Sequence, residues 1–279
     1  MNTPAGVAAN YLNLGMYKVR LHFWKMLLLA VLAGAFIALA GVGASSASCA
    51  AENPAMAKLI SACVFPAGLT MVLLAGSELF TGNCLLIIPL LSKTVRLRGV
   101  LRNWIIVYCG NFLGAALVAA LAVYSHQLSN FSDTLAVSAL STAAAKCALT
   151  FGDAFLRGIA CNCLVCIAVW ISFAATDAIG KIAGLYFPIL LFVVSGFEHS
   201  VANMFYVPVG ILAKGIPEYA QAAAKAGVDL SGLSWQSFLQ GNLLPVTLGN
   251  IVGGLAVGVI YWYCYLKDKK EQERKAGHF

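Results

Sequence analysis

Two segments of this chain are built alike. Gly76-Ser77-Glu78-Leu79-Phe80-Thr81-Gly82-Asn83 and Gly196-Phe197-Glu198-His199-Ser200-Val201-Ala202-Asn203 both read G-x-E-x-x-x-x-N. Each lies inside a long apolar stretch, and a proline follows each, Pro89 or Pro208. A carboxylate in hydrocarbon is costly and marks a functional site by default. Two such sites on interrupted backbone point to a transport path between two repeats, with broken helices meeting near the membrane midplane.

The surrounding composition fits a bilayer. The chain is 61% hydrophobic and 10% charged, with mean hydropathy +0.84, whereas a soluble domain carries roughly a quarter charged residues. Four uninterrupted spans, 23–44, 104–124, 155–175 and 243–266, each reach the ~20 residues a crossing helix needs. Two longer ones, 57–91 and 182–212, contain the breaks. The expected fold is an all-α membrane protein of six transmembrane helices, the second and fifth broken, in a single domain over 1–279. The net charge of +7 follows the positive-inside rule rather than a nucleic-acid partner. With both termini cytoplasmic, the inner segments hold Lys18, Arg20, Lys93, Arg96, Arg98, Arg102 and Lys181. The tail 267–279 adds further lysines and an arginine on that side. The outer segments hold Lys58, Lys146, Arg157, Lys214 and Lys225.

The halves match beyond the breaks. Gly110-Asn111-Phe112-Leu113-Gly114 and Gly249-Asn250-Ile251-Val252-Gly253 both read G-N-x-x-G. Three spans per half make the repeat inverted, over approximately 20–125 and 150–266. The small residues let helices approach closely. Segments 136–148 and 217–226 read as short helices on the outer side.

Among polar residues, His199 stands out as the histidine within an apolar span, able to bond a small anion or give it a proton. Thr81, in the matching break, can bond His199 or substrate, or merely cap a half-helix. Glu78 and Glu198, with Asn83 and Asn203, read as support for the breaks, the carboxylates satisfying free backbone N–H groups. Asn162 can donate to a passing anion or to a neighbouring helix, and Lys146 can attract anions at the outer entrance. Asp153 and Arg157 read as a helix-start ion pair. Phe65, Leu69, Phe80 and Phe192 flank the breaks as possible hydrophobic constrictions. Nine cysteines, mostly in apolar spans, argue against a disulfide framework. Cys161, Cys163 and Cys166 do not converge on a helix, so no metal or cofactor is expected.

At these residues the chain resembles the formate/nitrite transporter family, and its formate channel branch in particular. The resemblance rests on 73–82, 158–168, 196–205 and 244–250. It implies an aquaporin-like protomer with its own pore, assembled as a homopentamer. It implies small weak-acid anions as substrates (formate, nitrite, hydrosulfide, acetate or lactate), with protons as coupling partners and the inner membrane as location. By the family pattern Thr81 and His199 fall on the two breaks, and Asn162 and Lys146 on a conserved Asn and an entrance Lys. Phe65 and Phe192 form one constriction, Leu69, Leu79 and Phe80 the other. The chain is expected to be no enzyme. The rival reading is a membrane redox subunit using Cys161, Cys163 and Cys166; an aquaporin proper would carry Asn-Pro-Ala boxes at its two breaks, and the breaks here, 76–83 and 196–203, carry none.

Overall fold

The computed structural model describes residues 1–267; the tail expected as a cytoplasmic extension lies, from position 268, outside the described residues. The described residues are almost wholly helical. Helix α1 (Pro4–Arg20) precedes the first span, α2 (Phe23–Ser48). The second span comprises α3 (Pro54–Val64), α4 (Pro66–Leu74), α5 (Phe80–Asn83) and α6 (Ile87–Leu91). The third is α7 (Leu97–Tyr124). Helix α8 (Thr134–Cys147) leads into the fourth span, α9 (Phe151–Ala174). The fifth is α10 (Ala178–Val194) followed by α11 (Ser200–Lys214). Short α12 (Pro217–Lys225) and the last span, α13 (Leu244–Tyr265), complete the described helices.

Six spans with the second and fifth broken are what the apolar pattern predicts. The breaks are shorter than the motifs that mark them. Helix resumes at Phe80 and at Ser200, so the unwound backbone is confined to 75–79 and 195–199. Gly76 and Gly196 turn the chain at φ +79° and +70°, a conformation that disfavours any side chain with a Cβ. Helix α1 is the element that hydropathy misses: it is amphipathic rather than apolar and buries Val7, Ala8 and Tyr11 against the bundle.

Packing follows the repeat. Helix α2 runs along α7, and α9 along α13, while the half-helices cross over: α11 packs on α2 and α7, α5 on α9 and α13, and α6 on α13. Each half therefore completes the other. The helix pairs are drawn together at the G-N-x-x-G motifs. A Cβ on Gly114 would lie 1.9 Å from the Val31 carbonyl oxygen, and one on Gly253 2.2 Å from that of Ile159. No rotamer relieves a clash with backbone. Asp153 does not pair with Arg157: its Oδ2 accepts from the Thr150 hydroxyl (2.8 Å), and Thr150 Oγ1 in turn accepts from the Asp153 N–H (3.1 Å) as the N-cap of α9.

Gly114→Ala and Gly253→Ala are each expected to destabilise the protein by about 1–3 kcal/mol through overpacking. Gly152→Ala, with nothing within 4 Å of the added methyl, should leave the detergent melting curve unchanged and serves as the control.

Candidate permeation path

Unwound backbone inside a membrane must find partners within the protein. Asn111 and Asn250 supply them in the same way. Asn111 Oδ1 accepts from the Phe80 N–H (2.9 Å), while its Nδ2 donates to the Ala30 and Glu78 carbonyls (2.8 and 2.9 Å). Asn250 Oδ1 accepts from the Ser200 N–H (2.9 Å), and its Nδ2 donates to the Gly158 and Glu198 carbonyls (2.8 and 2.9 Å). One amide thus joins the break to the first helix of its half, on both sides of the repeat.

The two glutamates do something other than bond backbone N–H. Lys18 Nζ donates to Glu78 Oε1 (2.7 Å) and Asn83 Oδ1 (2.9 Å), and Asn83 Nδ2 donates to Glu78 Oε2 (2.7 Å) and Asn103 Oδ1 (2.9 Å). In the other half Lys146 Nζ reaches both Glu198 oxygens at 2.9 Å. Asn203 Nδ2 donates there to Glu198 Oε2 (2.6 Å) and Asn242 Oδ1 (2.7 Å). With Asn111 and Asn250 already holding the backbone, each carboxylate is free to take an ammonium. These are the two ion pairs among the described residues.

Sequence reasoning missed Lys18, Asn103 and Asn242, and read Asn111 and Asn250 only as part of a packing motif. The signal was present. Lys18 stands five residues before Phe23 and Lys146 five before Phe151, while Asn103 and Asn242 each stand eight before their G-N-x-x-G asparagine.

Two vestibules approach the centre from opposite faces. One, of about 240 Å³, is lined by Tyr11, Lys18, Glu78, Leu69 and Leu79 among others. The other, of about 570 Å³, is lined by Lys58, Lys146, Asn203, Tyr206, Phe65, Phe192 and His199 among others. Between them lies a gap of about 10 Å³ whose wall includes Leu69 and Leu79 from the first vestibule and Phe65, Phe192 and His199 from the second. That is near the least space that admits one water. Phe65 meets Phe192 edge-on at 5.8 Å, and Phe192 stacks on His199 at 5.9 Å.

His199 is the N-cap residue of α11. Its Nδ1 accepts from the Ala202 N–H (3.0 Å), and its Nε2 lies 2.9 Å from Thr81 Oγ1. An Nδ1 that accepts carries no proton, so the neutral ring holds its proton on Nε2 and donates it to Thr81. Both side chains are buried.

Three expected site residues sit otherwise than the sequence suggests. Phe80 lines neither vestibule nor gap; its ring packs edge-on against Tyr108 and Trp104 at 4.9 and 6.0 Å, because Leu79 takes the inward position at the break. Asn162 Nδ2 donates to the Thr81 and Asn250 carbonyls (3.2 and 2.6 Å) and so ties α9 to α5 and α13. Lys146 lines the larger vestibule, but Glu198 compensates its charge. Lys58, which lines the same vestibule, has no carboxylate partner among the described residues. The thiols of Cys163 and Cys166 reach separate carbonyls, those of Gly253 and Thr81, and among the described residues no three His, Cys, Asp or Glu side chains gather as metal ligands.

Comparison with known proteins agrees with the overall fold. The family model described as formate/nitrite transporter matches residues 5–263. A "Probable formate transporter" of Methanothermobacter thermautotrophicus is 40% identical, over 95% of this chain and 98% of its own length. The "Formate channel FocA" of Escherichia coli (strain K12) is 36% identical, over 95% of each chain. The solved structure of a "Pentameric formate channel with formate bound" superposes with a TM-score of 0.78 at 36% identity, covering 88% of this chain and 98% of that one.

Lys18→Met should strand the Glu78 carboxylate and cost about 3–5 kcal/mol of stability, as should Lys146→Met for Glu198. The double variant Lys18→Met/Glu78→Gln is expected to recover much of the loss. Thermal unfolding in mild detergent measures both.

Proposed function

The chain belongs to the formate/nitrite transporter family, and from that membership we propose that it conducts small monovalent anions of weak acids, formate first, past His199 and Thr81. The observation that carries the reading is the Thr81–His199 bond, whose imidazole lines the narrow apolar gap where the two vestibules converge. That its relatives include proteins named as formate channels supports formate ahead of nitrite or hydrosulfide as the substrate. The likeness to a pentameric structure supports a homopentamer with one path per protomer.

An anion entering a dry constriction loses hydration at a cost of several kcal/mol. Lys58 draws it into the larger vestibule, where its charge is uncompensated. Movement of Phe192 and Leu79 must then open the gap, which is too small for formate as it stands. His199 Nε2–H, turned from Thr81, offers the anion a hydrogen bond at the narrowest point. Outright proton donation asks for more. The imidazole must first gain a second proton on Nδ1, and that proton displaces the bond from Ala202 N–H. Proton-coupled passage, in which the neutral acid crosses Leu69 and Leu79, is therefore tied to release of the first turn of α11.

Formate flux into liposomes tests this. His199→Asn keeps polarity without a titrating group and should leave an anion leak with no pH dependence; Thr81→Ala should slow flux while retaining that dependence. A His199→Asn protein with wild-type rate and pH profile would show the imidazole to be a packing residue.

The Lys/Arg asymmetry supports both termini in the cytoplasm and the 570 Å³ vestibule outside. A thiol reagent applied to intact cells should then label Thr142→Cys and spare Arg98→Cys, both made in a cysteine-free background because Cys49 lines the same vestibule; the reverse pattern would invert the topology.

A further inference from the structure

On the face that carries α1, the end of α1 and the connection from α6 to α7 enclose a groove of about 430 Å³. Arg20, Arg96, Arg98 and Arg102 line it, together with Thr94 and without any carboxylate. Arg102 Nη1 donates to the main-chain oxygens of Val19 and Leu21 (3.4 and 3.1 Å), which fixes α7 against the turn between α1 and α2. The other three arginines are exposed and have no acidic partner among the described residues. Helix α7 begins at this groove with no side-chain cap and no acid in its first turn, so its positive end adds to the field. Beside the arginines, Leu97 and Leu101 of the same helix turns are exposed, as are Phe23 and Trp24 at the start of α2.

A preference for basic residues on one side of a membrane explains the sign of this charge. It does not bring four guanidinium groups from two separate segments onto one concave surface. Like charges so placed repel, and no acid in the described protein offsets them. We propose that the groove is a binding site for a phosphate-bearing anion, the arginines taking its oxygens in paired hydrogen bonds. Guanidinium forks suit phosphate in that way. The exposed apolar residues beside the groove make an anionic phospholipid the favoured source, its headgroup among the arginines and its chains along Leu97 and Leu101. Basic pockets between helices on the positive side of a membrane protein bind lipid headgroups by this chemistry.

The test compares the wild-type channel with Arg20→Gln/Arg96→Gln/Arg98→Gln, leaving Arg102 to hold the wall. Native mass spectrometry in mild detergent counts phosphatidylglycerol and phosphatidylcholine adducts, with inorganic pyrophosphate as a soluble competitor. The wild type should retain phosphatidylglycerol over phosphatidylcholine. The triple variant should bind phosphatidylglycerol on the order of a hundred-fold more weakly, since each basic residue near an anionic surface contributes roughly five-fold. An unchanged melting temperature in the variant establishes that the loss is local. Arg20→Lys/Arg96→Lys/Arg98→Lys, which keeps the charge but not the fork, should fall between the two. Pyrophosphate binding that depends on the three arginines, without lipid preference, would keep the phosphate site and make its ligand soluble. Phosphatidylglycerol binding unchanged in the triple variant, or a wild type that neither prefers phosphatidylglycerol nor binds pyrophosphate, overturns the proposal.

Discussion

Everything in this molecule hangs on how ten residues of unwound backbone, 75–79 and 195–199, are satisfied inside a membrane. Lipid offers their peptide groups no hydrogen bonds, so partners must come from the protein. Asn111 and Asn250 provide part of them, each closing a break against the first helix of its own half, and the Glu78 and Glu198 N–H groups donate to the Leu29 and Arg157 carbonyls of those same helices. Those asparagines lie in G-N-x-x-G motifs whose glycines press the same two helices together, so the clamp and the close packing are one device. Once the backbone is held, Glu78 and Glu198 can anchor Lys18 and Lys146, which fastens α1 and α8 over the two vestibules.

The clamps are symmetric; the chemistry is not. His199 occupies the N-cap position of its half-helix where the other half has Leu79, with nearly identical backbone angles (φ −109° at both, ψ 116° and 124°). Thr81 stands three residues after its glutamate, where the second half has Val201. The repeat therefore builds one frame twice, and single substitutions within it place an imidazole opposite a hydroxyl on one side and leave an apolar seal on the other. On the proposed path an anion would meet a donor and a constriction in series, an arrangement that a strictly symmetric pore cannot offer.

Much of this was legible before any coordinates. The breaks declare themselves because a carboxylate rarely sits in an apolar stretch, and the repeated G-x-E-x-x-x-x-N marks both; Phe65, Leu69, Leu79 and Phe192, expected at constrictions, line the gap. What escaped did so for physical reasons. Helix α1 contributes through an amphipathic face, which hydropathy alone does not register as part of a bundle, so Lys18 looked like another inside charge. Phe80 and Leu79 are adjacent, and only the geometry of the break decides which of them points inward. Asn162 offers the same amide to an anion or to a carbonyl, and the choice rests on the Thr81 and Asn250 oxygens being within reach.

On the proposed path the permeating anion crosses the gap beside His199, between Leu69 and Phe192. Leu69 lines both the smaller vestibule and that gap, so a cysteine there is reachable by a small methanethiosulfonate reagent and its adduct must fill the constriction. The account predicts that Leu69→Cys, made in a Cys49→Ser background because Cys49 lines the larger vestibule, conducts formate into liposomes until modified and then stops, while the Cys49→Ser parent is indifferent to the reagent. A Leu69→Cys protein verified by mass as fully modified, yet conducting as before, would place the path elsewhere.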